Sequence, residues 1–284
     1  MSKYLGLLVS MYHFALSYIR HVSSNRIFII PTSILILLIS ISSSQAALHK
    51  ISNQADWSSE VIEIEMVLPT LYVVRSHQEV QLFADKPAVM MDANSFIYID
   101  EKDAYLIDTP WNASDMPDLM NWLQVQGLTL KGALVTHYHA DSAAGLGYLD
   151  KNGFVTYASD MTNTLLEQDS KPTSNHIFLG DEFELLKGKI KAYFPGSGHS
   201  MDNLVVWLPD EKILIGGCFL KSANTNSLGW TGDADLANWY YSARKVKARY
   251  PQVKLVFPGH GDGVEGSSII DHTMTLTKGL ASLE

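Results

Sequence analysis

One cysteine, Cys218, stands in a chain of 284 residues, so no intramolecular disulfide can form. Charge is sparse, at 18% of residues, and the acids outnumber the bases by 30 to 21. A chain short of basic residues carries no broad positive surface for nucleic acid or anionic lipid. The first 46 residues lack acids altogether and hold three bases, Lys3, Arg20 and Arg26. No apolar run reaches the roughly 20 residues that span a bilayer. Repeats, low-complexity stretches and any linker after residue 60 are also missing, which argues for one continuous domain.

The longest apolar stretch is Ile27 to Ile41, preceded by the basic lead and followed by SSSQAAL, in which Ser44 and Ala46 form a small-x-small pair. Basic segment, apolar segment and small-residue cut site read as a secretory signal over 1–46, leaving 47–284 as the mature domain in the periplasm. Removing Lys3, Arg20 and Arg26 leaves 18 bases against 30 acids, a mature net charge of −12. A free thiol in an oxidising compartment survives when it is buried or bound to metal, which draws attention to Cys218.

Hydrophobic residues make up 46%, enough for a sizeable core. VIEIEMV (61–67), LYVV, SFIYI and AYLI read as strands, and the stretch from Arg75 to Ser95 as a hairpin with a long tip. Met116, Leu119, Met120 and Leu123 share a helical face that Gly127 can end. Strands and helices then alternate: ALVT (133–136), a helix through 142–149, FVTY (154–157), and a helix capped by Ser159. FELL, IKAYF, LVVWL, KILIG and KLVF follow as short strands, with helical faces on Leu236 to Tyr250 and on Ile270, Leu276, Leu280 and Leu283. The pattern predicts an α/β (α+β layered) domain of stacked sheets flanked by helices.

Four of the strands run into candidate ligands, three of them through glycine turns. ALVT leads into His137-Tyr138-His139-Ala140-Asp141, and IKAYF into Pro195-Gly196-Ser197-Gly198-His199. KILI leads into Gly216-Gly217-Cys218, and KLVF into Pro258-Gly259-His260-Gly261. Loops at strand ends are where layered folds build sites. Imidazole, thiolate and carboxylate are the zinc ligand set. Six candidates exceed the four of a structural zinc site, whereas three per metal with room for water is the catalytic pattern. The residues alone leave open a two-zinc hydrolase of amides, a hydrolase of thioesters, lactones or phosphoesters, and an exported non-catalytic zinc protein.

The segments LIDTPW (106–111), THYHAD (136–141), PGSGHSMDNLVVWLPDEKILIGGCFLKS (195–222), GDADL (232–236) and PGHG (258–261) resemble the metallo-β-lactamases, in particular their first subclass and its imipenemase-type carbapenemases. The resemblance covers the mature chain from about Val61. It implies a four-layer αβ/βα sandwich with two Zn2+ ions at one edge. One ion would be held by His137, His139 and His199, and the other by Asp141, Cys218 and His260. The subclass follows from His137, which is Asn in the second, and from Cys218, which the third lacks. The implied activity is hydrolysis of a β-lactam amide by a hydroxide held between the zincs, with Asp141 orienting it. Lys221 matches a lysine that pairs with the substrate carboxylate, Trp111 an aromatic at the pocket floor, and residues 77–92 a flap over the substrate. A departure lies at Trp230-Thr231-Gly232-Asp233-Ala234, where many members carry Asn in place of Trp230. The implied partner is a small-molecule β-lactam, and the expected state is a monomer.

Overall fold

Side chains alternate across a strand, and the segment Leu204 to Leu208 shows where the two faces go. Leu204, Val206 and Leu208 enter one buried cluster, while Val205 and Trp207 enter another. A sheet with both faces apolar needs cover on both sides, and layering is the result. The structure is a computed structural model that describes residues 56–81 and 86–281. The secretory segment expected at 1–46 lies outside the described residues.

The first sheet has eight strands in chain order: β1 (Trp57–Ser58), β2 (Ile62–Leu68), β3 (Leu71–Val80), β4 (Val89–Asp100), β5 (Asp103–Ile107), β6 (Thr129–Leu134), β7 (Thr156–Ser159) and β8 (His176–Phe178). Pairing is antiparallel up to β5 and parallel from β5 onward. The second sheet runs β9 (Glu182–Leu186), β10 (Ile190–Tyr193), β11 (Val205–Leu208), β12 (Ile213–Ile215), β13 (Leu255–Phe257) and β14 (Val264–Glu265).

Three clusters fix the layers. Leu71, Phe96, Ile107, Val206, Ile215 and Phe257 pack between the sheets. Ile64, Ile97 and Leu106 on the outer face of the first sheet meet Met116, Leu119 and Trp122 of α1 (Met116–Val125). On the outer face of the second sheet, Val205, Leu214 and Val256 meet Trp239 and Val246 of α5 (Leu236–Arg249) and Ile269 and Ile270 of α6 (Ser268–Thr277). This is the four-layer αβ/βα sandwich. Burying a side chain of this size contributes about 1.5–3 kcal/mol.

The short helices α2 (Ala140–Ala143), α3 (Leu146–Lys151) and α4 (Asp160–Gln168) complete the set. Ser159 caps α4 as expected, accepting from the Thr162 N–H at 3.0 Å. The single helix expected over 142–149 is instead two. Thr109 interrupts it: its hydroxyl donates to the Ser142 carbonyl and accepts from the Gly145 N–H, both at 2.8 Å. The hairpin ladder is also longer than expected, holding register from Leu71↔Tyr98 to Val80↔Val89. On α6 the buried face is Ile269, Ile270, Thr273 and Thr277, while Leu280 lies past the helix and is exposed.

Topology sets the site. β10 and β12 both run antiparallel to β11, and β13 runs parallel to β12. Their three C-terminal ends therefore share one edge of the second sheet. The exit of β6 reaches the same edge, tied across by the Leu204 N–H donating to the Thr136 carbonyl at 2.9 Å.

Candidate metal centre

All six expected ligands converge at that edge. His137, His139 and Asp141 follow β6, His199 follows β10, Cys218 sits on the short turn Gly217–Phe219 after β12, and His260 follows β13. The rings of His137, His139 and His199 lie 4.8 to 5.1 Å apart by centroid. His139 Nδ1 faces His199 Nε2 at 3.1 Å. Asp141 Oδ2 is 3.1 Å from Cys218 Sγ and 3.2 Å from His260 Nε2, and Sγ is 3.3 Å from that nitrogen. Ligand atoms of His137, Asp141 and Cys218 also fall within 4.8 Å of one another. Asp141 and Cys218 thus lie between His137 and His260. The close seating of Cys218 needs a glycine opposite: a Cβ at Gly259 would stand 2.5 Å from Sγ.

The donor set fits a divalent metal. His137 Nε2 and Asp141 Oδ1 lie 3.3 Å apart, yet neither makes a well-formed hydrogen bond and both are buried. Orphaned buried polar atoms are costly unless something satisfies them. Burial alone would push the Asp141 carboxyl up, but the His137 and His260 rings outweigh it and hold the carboxyl well below its usual range. Burial works against charge on His137 and His260 too, and Asp141 with Cys218 overcomes it, holding both rings well above an ordinary histidine. Protons thus balance the buried acid, and a cation can take their place. His199 is pushed well below its usual value by burial, Lys221 and His137, which keeps it in the neutral form that binds metal.

A second layer orients these rings, and the sequence reading gave it no role. Asp108 is 3% exposed and accepts from the Thr136 N–H at 2.6 Å, the Thr136 hydroxyl at 2.9 Å, and the Ser142 hydroxyl. With its proton given to Asp108, the Thr136 oxygen accepts from His137 Nδ1 at 3.2 Å, leaving Nε2 to point into the centre. Asp233 Oδ2 sits 2.7 Å from His139 Nε2. His260 Nδ1 donates to the Asp92 carbonyl, and Asn94 donates to the Pro258 and Gly261 carbonyls at 3.0 and 2.6 Å, fastening the His260 loop to β4. Asp108 and Asp233 lie within LIDTPW and GDADL, so a carboxylate at a strand end or before a helix was the available signal.

The centre opens into a cavity of about 410 Å³ lined by Val80, Met91, Trp111, Lys221 and Trp230 among others. Trp111 stands 5.5 Å from the His260 ring, and Trp230 stands 5.5 Å from the His139 ring. Trp230 is 63% exposed. Lys221 is 8% exposed, with Nζ 5.3 Å from the Trp239 ring. Burial lowers the Lys221 pKa, against the opposing pull of Cys218 and Asp141.

The model of the metallo-beta-lactamase superfamily matches residues 90–260. A metallo-beta-lactamase type 2 of Pseudomonas aeruginosa is 37% identical over 206 residues, 72% of this chain and 80% of that one. The protein of the same name from Bacteroides fragilis is 37% identical over 218 residues, 76% of this chain and 85% of that one. Among solved structures, VMB-1 superposes with a TM-score of 0.75 at 36% identity, covering 79% of this chain and all of that one. DIM-1 exposed to ceftazidime gives 0.74 at 34% identity, covering 79% of this chain and 100% of that one.

Proposed function

The chain belongs to the metallo-beta-lactamase superfamily and is a zinc-dependent hydrolase acting on β-lactams, and from that premise we propose that it opens the cyclic amide, carbapenems included, at a two-zinc centre. His137, His139 and His199 hold one ion, and Asp141, Cys218 and His260 hold the other. The observation that carries this reading is the position of Asp141 and Cys218 between two sets of rings. His137 cannot serve both ions, because its Nδ1 is taken by Thr136 and only Nε2 faces the centre. His260 Nε2 is therefore the nitrogen that completes the second set. Thiolate in that set favours zinc over harder cations.

Bound zinc supplies a Lewis acid for the amide oxygen and brings the pKa of a held water to about 7. The chain's own residues do the rest. Asp141 Oδ1, which lacks a hydrogen-bond partner, is free to accept a hydrogen bond from the attacking water and so aim it. Lys221 lines the cavity and receives the substrate carboxylate in a charge-assisted contact. Trp111 and Trp230 give the cavity two apolar walls, one beside His260 and one beside His139. Trp230 carries a single N–H and no amide, so its main role is packing against apolar substituents of the substrate.

We assign residues 1–46 as a cleaved secretory signal and 47–284 as a monomeric periplasmic domain. The basic lead, apolar stretch and small-residue site support this assignment. Among the described residues no helix is long and apolar enough to cross a membrane. The reading is tested by assaying a chromogenic cephalosporin and a carbapenem before chelation, after it, and after zinc is returned. Hydrolysis should disappear with the metal and come back with it. Full activity in protein shown to contain no metal would refute the reading.

A further inference from the structure

Between His137 and His139 lies Tyr138, a residue with no part in the ligand set. Its ring packs against the cluster of Val135, Ala143, Leu146, Ala158 and Leu166, and its centroid is 4.5 Å from that of His139. Lys171 Nζ stands 5.1 Å from the same ring. The phenol donates to Asp233 Oδ2, the oxygen that also meets His139 Nε2. Asp233 Oδ1 is buried and has no partner. Both contacts to this carboxylate therefore fall on one oxygen, one from the histidine and one from the tyrosine.

The carboxylate comes from an irregular turn, Thr231 to Ala234, closed by a long 3.3 Å backbone bond. Such a turn does not fix a side chain by itself. A neutral imidazole carries its proton on one nitrogen, and the partner of that nitrogen decides which. With Asp233 held at Nε2, the lone pair lies on Nδ1, which faces His199 Nε2 at 3.1 Å. We propose that Tyr138 is a positioning residue whose phenol pins Asp233 and thereby sets the metal-binding tautomer of His139. This inference rests on the reading of His139 as a zinc ligand.

Tyr138→Phe keeps the ring, its packing and the lysine beside it, and removes only the O–H. The test uses the full chain in two measurements. Long-range proton–nitrogen correlation spectra of the metal-free protein report the His139 tautomer. Competitive titration with a chelator reports zinc affinity at each position. In the parent, His139 carries its proton on Nε2. In Tyr138→Phe both tautomers are populated, and affinity at the three-histidine position falls about tenfold while the other position is unchanged. Lys171→Met, which leaves the O–H in place, matches the parent in both measurements. The inference is overturned if the parent carries the proton on Nδ1, whatever the variant does. It is also overturned if Tyr138→Phe shows the parent's tautomer and the parent's affinities, an outcome that leaves the two-zinc reading intact. A parent that binds no zinc at His137, His139 and His199 overturns both.

Discussion

His137 and His139 each have a carboxylate behind them, Asp108 through the Thr136 hydroxyl and Asp233 directly, whereas His260 has only the Asp92 backbone carbonyl. On the first side all three proposed ligands are imidazoles, so the protein must choose a tautomer, and for His137 and His139 a carboxylate makes that choice, Asp108 buried and Asp233 half-buried. On the second side two of the three ligands are an acid and a thiol. The carboxylate, and the thiol once its proton is gone, attract a cation through charge, and there the backbone has only to bring them close. The Gly259 approach to Sγ and the Asn94 bonds to the His260 loop do that. The three-histidine side should therefore be sensitive to changes behind the ligands, and the other side mainly to changes of the ligands themselves.

The largest effect expected from this contrast is at Asp108. Asp108→Ala removes the acceptor of two buried hydroxyls, Thr136 O–H and Ser142 O–H, and leaves the Thr136 N–H only its 3.1 Å bond to the Ser142 oxygen. Breaking a buried charged network of this kind costs about 3–5 kcal/mol, read by urea denaturation. Asp92→Ala is the matching change on the other side. It removes one acceptor from the Gly261 N–H but leaves the carbonyl that holds His260. Its cost should stay near 1 kcal/mol. Equal losses in the two variants would erase the contrast.

A smaller effect is expected at Lys221, on the Cys218 side of the cavity. Lys221→Met removes a charge-assisted contact worth about 1.5–3 kcal/mol, made in both ground and transition states. KM should rise roughly tenfold to a hundredfold, with kcat within a few-fold, in steady-state kinetics. A fall confined to kcat would move Lys221 from substrate binding to chemistry. The smallest effect is expected at Trp230, on the His139 side. Trp230→Asn should lose about 1 kcal/mol of binding for a β-lactam with a bulky apolar substituent and leave a small-substituted one nearly unchanged. A size-independent drop in kcat would show instead that the indole takes part in stabilising the transition state.

The proposed ligands were legible in the sequence because each follows a short apolar strand, and His199, Cys218 and His260 also stand beside glycine. Their supporting acids were not. Asp108 lies 28 residues from Thr136, and Asp233 lies 94 residues from His139, so nothing local joins them. The break between α2 and α3 was hidden for a similar reason, since the Thr109 hydroxyl that causes it arrives from another element. Extension of β3 and β4 to Val80 and Val89 depends on backbone pairing, which polar residues such as His77 and Glu79 conceal from a search for alternation. The α6 face misled because Thr273 and Thr277 are buried there. Their hydroxyls return bonds to the Ile269 and Thr273 carbonyls at 3.0 and 2.8 Å, and Thr273 also accepts from the Lys221 N–H at 2.8 Å. Satisfied in this way, threonine packs where leucine was expected.

The most direct test is a zinc titration of the parent and of Cys218→Ser, with metal content measured independently. Serine keeps the size of the side chain but stays protonated near neutral pH, where a metal-bound cysteine is a thiolate. The parent should bind two zincs. Cys218→Ser should keep one at close to the parent affinity and lose the other by orders of magnitude. Two zincs held by Cys218→Ser as tightly as by the parent would contradict the account, making Cys218 a buried core residue and the centre something other than two differently built halves.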